Sequence, residues 1–224
     1  MWGRRRQQIG EYCKEYISLW GQAGEDLSLL EVSHEFLEHT LPKIFTEHGY
    51  TRIGALPDGK DFMIDTARTN SMVSRAMRSD KVKNSAVRCI SWMTPANLSF
   101  EHTDLFLARC SEKKLVDLWG KRFKNFPAGW DMLADRGFAG TERSYPNMNR
   151  QRTPNFLKKR KQFAEGEVMI DMVLCKLRYT CEVGFARVTS MKSLKDRISF
   201  WFFNDLDSIN HWGHAMVNLM KPLI

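Results

Sequence analysis

The chain has 224 residues, with 34 Lys and Arg against 26 Asp and Glu for a formal net charge of +8, and a composition 43% hydrophobic and 12% aromatic. That much apolar surface sustains one large core or two small ones and excludes wholesale disorder. No run approaches the roughly 18 to 20 consecutive apolar residues of a membrane-spanning helix, and Met1 to Arg6 lead into no apolar signal region. The chain therefore reads as soluble and unsecreted. Its five cysteines, an odd number without CxxC spacing, point to reduced thiols in a cytosolic or nuclear compartment rather than to a disulfide framework or a structural zinc site.

Ile9, Tyr12, Cys13, Tyr16, Ile17 and Trp20 recur at helical spacing and predict a helix from Arg5 to Trp20, with Gly21 and Gly24 as its stop. A second helix is expected from Asp26 to about His39, carrying Leu27, Leu29, Leu30, Val32, Phe36 and Leu37, and a short third from Pro42 to His48. Residues 1–50 thus form a helical N-terminal region, and residues 51–224 a separate domain. Gly54 to Gly59 read as a Pro/Gly loop, and residues 61–66 as a buried strand ending on Asp65. Ala86 to Thr94 alternate and are rich in β-formers. With the turn Pro95-Ala96-Asn97 and a return over Leu98 to Phe100 they predict a hairpin. One or two helices fit Thr103 to Leu118. Residues 129–135 are a second buried strand ending on Asp135, with Arg136-Gly137-Phe138 as a turn. From Ala164 to about Lys192, Val168, Met172, Cys175, Tyr179, Glu182 and Ala186 mark one face of a long helix, weakened at Gly166 and Gly184. Residues 198–206 are dense in Phe and Trp, and His211 to Leu219 form a closing helix. The class is α/β.

The excess charge is local. Residues 142–197 carry thirteen Lys and Arg against six Asp and Glu, which leaves the rest of the chain nearly balanced. The run Lys158, Lys159, Arg160, Lys161, with Arg178 and Arg187 beyond it, is a positive strip suited to polyphosphate, although a solvated charged face on a helix and its preceding loop explains the lysine run taken alone at least as well. Asp65 and Asp135 at strand ends and Glu182 on the long helix are of the type that holds hard divalent cations for two-metal phosphodiester chemistry. Taken singly, Asp65 is explained by a turn or cap, and Glu182 by a surface position or an ion pair with Arg178 one turn earlier. Asp104 suits a helix cap, His211 and His214 suit packing, Phe200 to Phe203 suit the core, and Asp61 and Asp131 suit solvated positions preceding the strands.

The ordered set Ile64-Asp65, then Ala134-Asp135-Arg136-Gly137-Phe138, then Arg178 to Glu182 with Arg187, resembles the DDE superfamily endonucleases, the transposase group of PIF/Harbinger-like and THAP-associated elements. Asn84-Ser85, Thr94-Pro95, His102-Thr103-Asp104, Thr153-Pro154-Asn155-Phe156 and the closing Val217 to Ile224 extend the resemblance over most of the chain from about Leu41. The chain departs at Val183 and Thr189, where that family carries basic residues, and in Leu98 to His102, which replaces a Gly-rich segment.

The resemblance implies a ribonuclease H-like mixed sheet flanked by helices. On it, the first Asp lies on the central strand, the second ends a neighbouring strand, and the Glu lies on a helix packed across the sheet. It implies a nuclear, metal-dependent DNA endonuclease and transposase in which Asp65, Asp135 and Glu182 are catalytic and hold Mg2+ or Mn2+. Lys158, Lys159, Arg160, Lys161, Arg178 and Arg187 would hold the DNA backbone at transposon ends and target, with strand transfer following cleavage. A homodimer and a separate DNA-binding protein are further candidate partners, and no membrane is implied. The alternative it leaves open is a domesticated or decayed DNA-binding or protein-binding module without catalysis.

Overall fold

A single long helix, α1, spans Trp2–Ser28 and runs through both glycines expected to end it. The computed structural model describes residues 2–28, 32–66, 71–119 and 126–221. Gly21 and Gly24 are contact points, not stops. A Cβ on Gly24 would come within 2.7 Å of the Trp212 amide nitrogen, and one on Gly21 within 2.7 Å of the Ser208 Cα, so the two glycines let α1 lie directly against a C-terminal helix. Leu29 and Leu30, expected on a second helix, lie outside the described residues. That helix, α2, is His34–Thr40, opened by Ser33, whose hydroxyl accepts from the Phe36 amide; Pro42 then precedes α3, Lys43–Glu47.

The strand expected at 61–66 is β1, Ile53–Met63, and it absorbs the segment read as a Pro/Gly loop. Pro57 is tolerated for a directional reason. The Ile64 amide donates to Ser85 beside the next strand, so by the two-residue period the odd positions of β1 face away from it, where pairing with the other neighbour ends at Ala55. After α4, Ser71–Met77, come β2, Ala86–Met93, and β3, Ser99–His102, the predicted hairpin. Then follow β4, Phe106–Leu107; α5, Glu112–Trp119; β5, Asp131–Leu133; and β6, Arg150–Arg152. The last elements are α6, Glu165–Val188; α7, Lys192–Lys195; and α8, Leu206–Asn218.

The sheet is open and mixed, in the order β3-β2-β1-β5-β6, with β4 also pairing β2. The pairs β1–β2 and β2–β3 are antiparallel, and β1–β5 and β5–β6 are parallel. Helices flank it. Ala55, Ile90 and Trp92 pack with Leu115, Val116 and Trp119 of α5 on one face. Phe62, Val87 and Cys89 pack with Val188, Leu206 and Val217 on the other, while Leu56 meets Leu174, Leu177 and Cys181 of α6. Asp61 and Asp131, expected in solvent, are buried instead. Asp61 is held by Arg88 at 2.6 Å, and Asp131 by Arg152 at 2.6 Å and Asn149 at 2.8 Å. No described helix is long and apolar enough to cross a membrane.

Candidate functional site

The parallel pairing of β1 with β5 brings two carboxylates to one place, and the one on β1 is Asp58. From the register Ala55 opposite Met132, both strands run on in the same direction, β1 towards Asp58 and β5 to its end at Leu133, two residues before Asp135. Asp135 caps the turn Arg136–Phe138, its Oδ1 accepting the Gly137 amide at 2.7 Å, and Asp58 Oδ1 accepts the Gly59 amide at 2.9 Å. Arg178 reaches both from α6. Its Nη2 lies 3.6 Å from Asp58 Oδ1 and 3.9 Å from Asp135 Oδ2.

Asp65 is not part of this group. It lies seven residues further along the chain than Asp58, roughly 20 Å at the rise of an extended strand, where its amide donates to Ile198. The short apolar run ending on an acid led to Asp65. The useful signal was the Asp58-Gly59 pair inside what looked like a loop. Glu182 lies on α6 one turn beyond Arg178, next to Cys181, whose thiol faces the Leu56 carbonyl of β1; its side chain is exposed. Of the two readings of Glu182 taken alone, the surface position holds, and the Arg178 guanidinium pairs with the two aspartates instead.

A third carboxylate, Glu112, enters from α5 on the opposite face. A Cβ on Gly59 would lie 2.6 Å from Glu112 Oε1, and a Cβ on Gly137 would collide with Glu112 Oε2 while sitting 3.0 Å from Asp135 Oδ1. The two glycines make the cleft that Glu112 fills. Sequence reading gave Glu112 no role, because only the tertiary position of the α5 N-terminus brings it here. Burial raises the Asp58 carboxyl above its ordinary range, with Arg178 and Lys81 pulling it back down and Asp135 pushing it up. Glu112 is raised by burial and then by Asp135. The Lys81 ammonium donates to the Gly59 carbonyl at 2.9 Å, so two cations attend three acids.

The basic residues expected to hold DNA divide. Lys158, Lys159 and Lys161 are exposed on the loop before α6. Arg160 is tied to Glu167 at 2.8 and 2.9 Å, and Arg187 donates to the Lys221 carbonyl at 3.0 Å. His211 and His214 pack, as expected, in a cluster with His102. The His102 and His211 rings share a hydrogen bond of 2.6 Å, and the His102 and His214 rings stack with centroids 4.2 Å apart. His211 also lies 3.4 Å from Asp104.

Asp58 and Asp135 are hard oxygen donors converging on one cationic centre, the kind of set that suits magnesium or manganese. Among the described residues no group of three or more His, Cys, Asp or Glu is already disposed as a metal site. Comparison with protein-family models, with curated proteins and with solved structures finds no match.

Proposed function

We propose that this chain is a metal-dependent DNA endonuclease of the DDE transposase kind, on a ribonuclease H-like fold, with Asp58 rather than Asp65 as its first acid. The observation that carries the reading is the placement of Asp58 on the central strand and Asp135 at the end of the parallel neighbour, both drawn to one cation. Glu182 lies on the helix packed across the same strands, with its side chain exposed, and is the third acid that the sequence resemblance implies.

On this reading Asp58 and Asp135 hold the ion, and Glu182 and Glu112 supply further carboxylate oxygens beside it. A bound magnesium or manganese ion supplies Lewis acidity towards a phosphodiester and an activated water. Arg178 and the exposed Lys158, Lys159 and Lys161 bind phosphate oxygens, a salt-sensitive attraction. The test is nicking of supercoiled plasmid in manganese by the wild type, Asp58→Asn and Asp65→Ala. The expected result is a loss of about 100-fold or more in Asp58→Asn and near-normal nicking in Asp65→Ala, as fits removal of a group acting on the reacting atoms. Equal nicking by all three proteins discards the assignment.

The second reading is a descendant of such an enzyme that keeps the fold without turnover. It is favoured by the Arg178 guanidinium standing between the two aspartates. Failure of millimolar manganese to raise the melting temperature would select it.

A further inference from the structure

The ion pairs of Arg178 differ from the two other arginine–aspartate pairs that involve sheet strands among the described residues. Arg88 Nε contacts Asp61 at 2.6 Å and Arg152 Nε contacts Asp131 at 2.6 Å, both short charge-assisted bonds. Arg178 instead stands 3.6 and 3.9 Å from its two aspartates, beyond hydrogen-bond length, and its Nε is buried with no hydrogen-bond partner. Its side chain is only 18% exposed. A guanidinium held so deeply yet so loosely is fixed by the charge of the acids around it, not by matched donor geometry.

We infer that Arg178 is an exchangeable counter-ion, a guanidinium that neutralises Asp58 and Asp135 in the metal-free protein and competes with a divalent cation for them. Resting on the metal-site reading above, the inference adds a built-in regulation to it. A magnesium ion needs oxygens at about 2.0 to 2.1 Å, a distance that leaves no room for a guanidinium between the same carboxylates, and two cations there repel. Metal entry therefore requires Arg178 to leave, and the freed arginine, one turn from Glu182 on α6, becomes available to an anionic substrate. In the metal-free state the same pairing protects Asp58, whose burial already disfavours its charge. Arg178 thus sets a threshold: the site loads only when the cation concentration outweighs an internal competitor.

The experiment is calorimetric titration of manganese into the full chain, comparing wild type with Arg178→Gln and Asp58→Asn, after circular dichroism has shown each to be folded. Arg178→Gln is expected to bind manganese about tenfold or more tightly than the wild type, within the range of site-to-site couplings. Its metal-free melting temperature should be lower than that of the wild type, and manganese should raise it further, while Asp58→Asn takes up no metal. Uptake with equal or weaker affinity in Arg178→Gln overturns the inference and leaves the metal site standing. No uptake by wild type or Arg178→Gln overturns both.

Discussion

Asp61, buried, and Asp58, half-buried, lie three residues apart on β1 and have opposite duties, decided by which face of the strand each occupies. Asp61 points to the α5 face, where Arg88 and the Ser79 hydroxyl satisfy it completely. Asp58 points to the α6 face, where its cation is long and replaceable. Replacing Asp61 with Ala strands a buried guanidinium, and the expected loss is about 3 kcal/mol in urea unfolding, with manganese binding unchanged. Gly59 is the more specific probe of the site. Gly59→Ala places a Cβ against Glu112 Oε1, so stability should fall by about 1 to 3 kcal/mol and Glu112 should be pushed from the cleft; an unaltered unfolding midpoint would show that Glu112 moves aside freely. Asp135 and Arg178 were singled out in the sequence, as a triad acid and a DNA-holding residue, because each sits in a motif of ordered residues. Asp58 and Glu112 were not, because the strand that carries one has loop-like composition and the other reaches the site only through packing.

At the level of elements, helices and the hairpin were legible as periodic patterns, and β1 was not. Gly54, Pro57 and Gly59 look like a loop, yet each is required by a neighbour: a Cβ on Gly54 would meet Phe126 Cζ at 2.7 Å, Gly59 makes room for Glu112, and Pro57 turns its missing N–H to an unpaired side. On α6 the face marked by Val168, Met172 and Tyr179 is the outer one: they are 41%, 62% and 62% exposed, while Leu174, Leu177, Cys181 and Phe185 are buried. This helix is apolar on more than one side, so spacing alone cannot choose its inner face. The glycines of α1 carry the prediction at this scale. Gly24→Leu inserts a side chain into the backbone of α8, and the expected outcome is a loss of about 1 to 3 kcal/mol with faster proteolysis of α1, whereas the central sheet keeps its protection. Cleavage no faster than in the wild type would mean that α1 bends to accept the change.

Across the whole molecule, acid stability should be governed by the histidine cluster joining β3 to α8. Burial pushes His214 down to about 4, although its bond to the Asn210 carbonyl opposes this, and burial with the neighbouring His214 and His211 rings pushes His102 well below its usual value. Asp104 and Asp207 are the acids nearest the cluster. The first lies beside His211, and the second accepts the Leu105 amide at 2.7 Å and is itself raised by burial. For a histidine whose folded value is depressed, the cost appears as pH falls through the unfolded value near 6.5 and is complete below the folded value. From His214 alone the loss amounts to roughly 3 kcal/mol once the pH is below 4. The raised Asp58, Glu112 and Asp207 carboxyls act with the opposite sign, since their folded forms take up protons more readily. Their contribution is common to a variant that leaves them intact. His214→Phe keeps the ring stacked on His102, removes the buried Nε2 that has no partner, and cannot charge. Urea unfolding at pH 7.5 and pH 4 should therefore show a smaller acid-induced loss for His214→Phe than for wild type, by up to the same roughly 3 kcal/mol. Parallel pH dependence in the two proteins would assign acid sensitivity to another part of the fold.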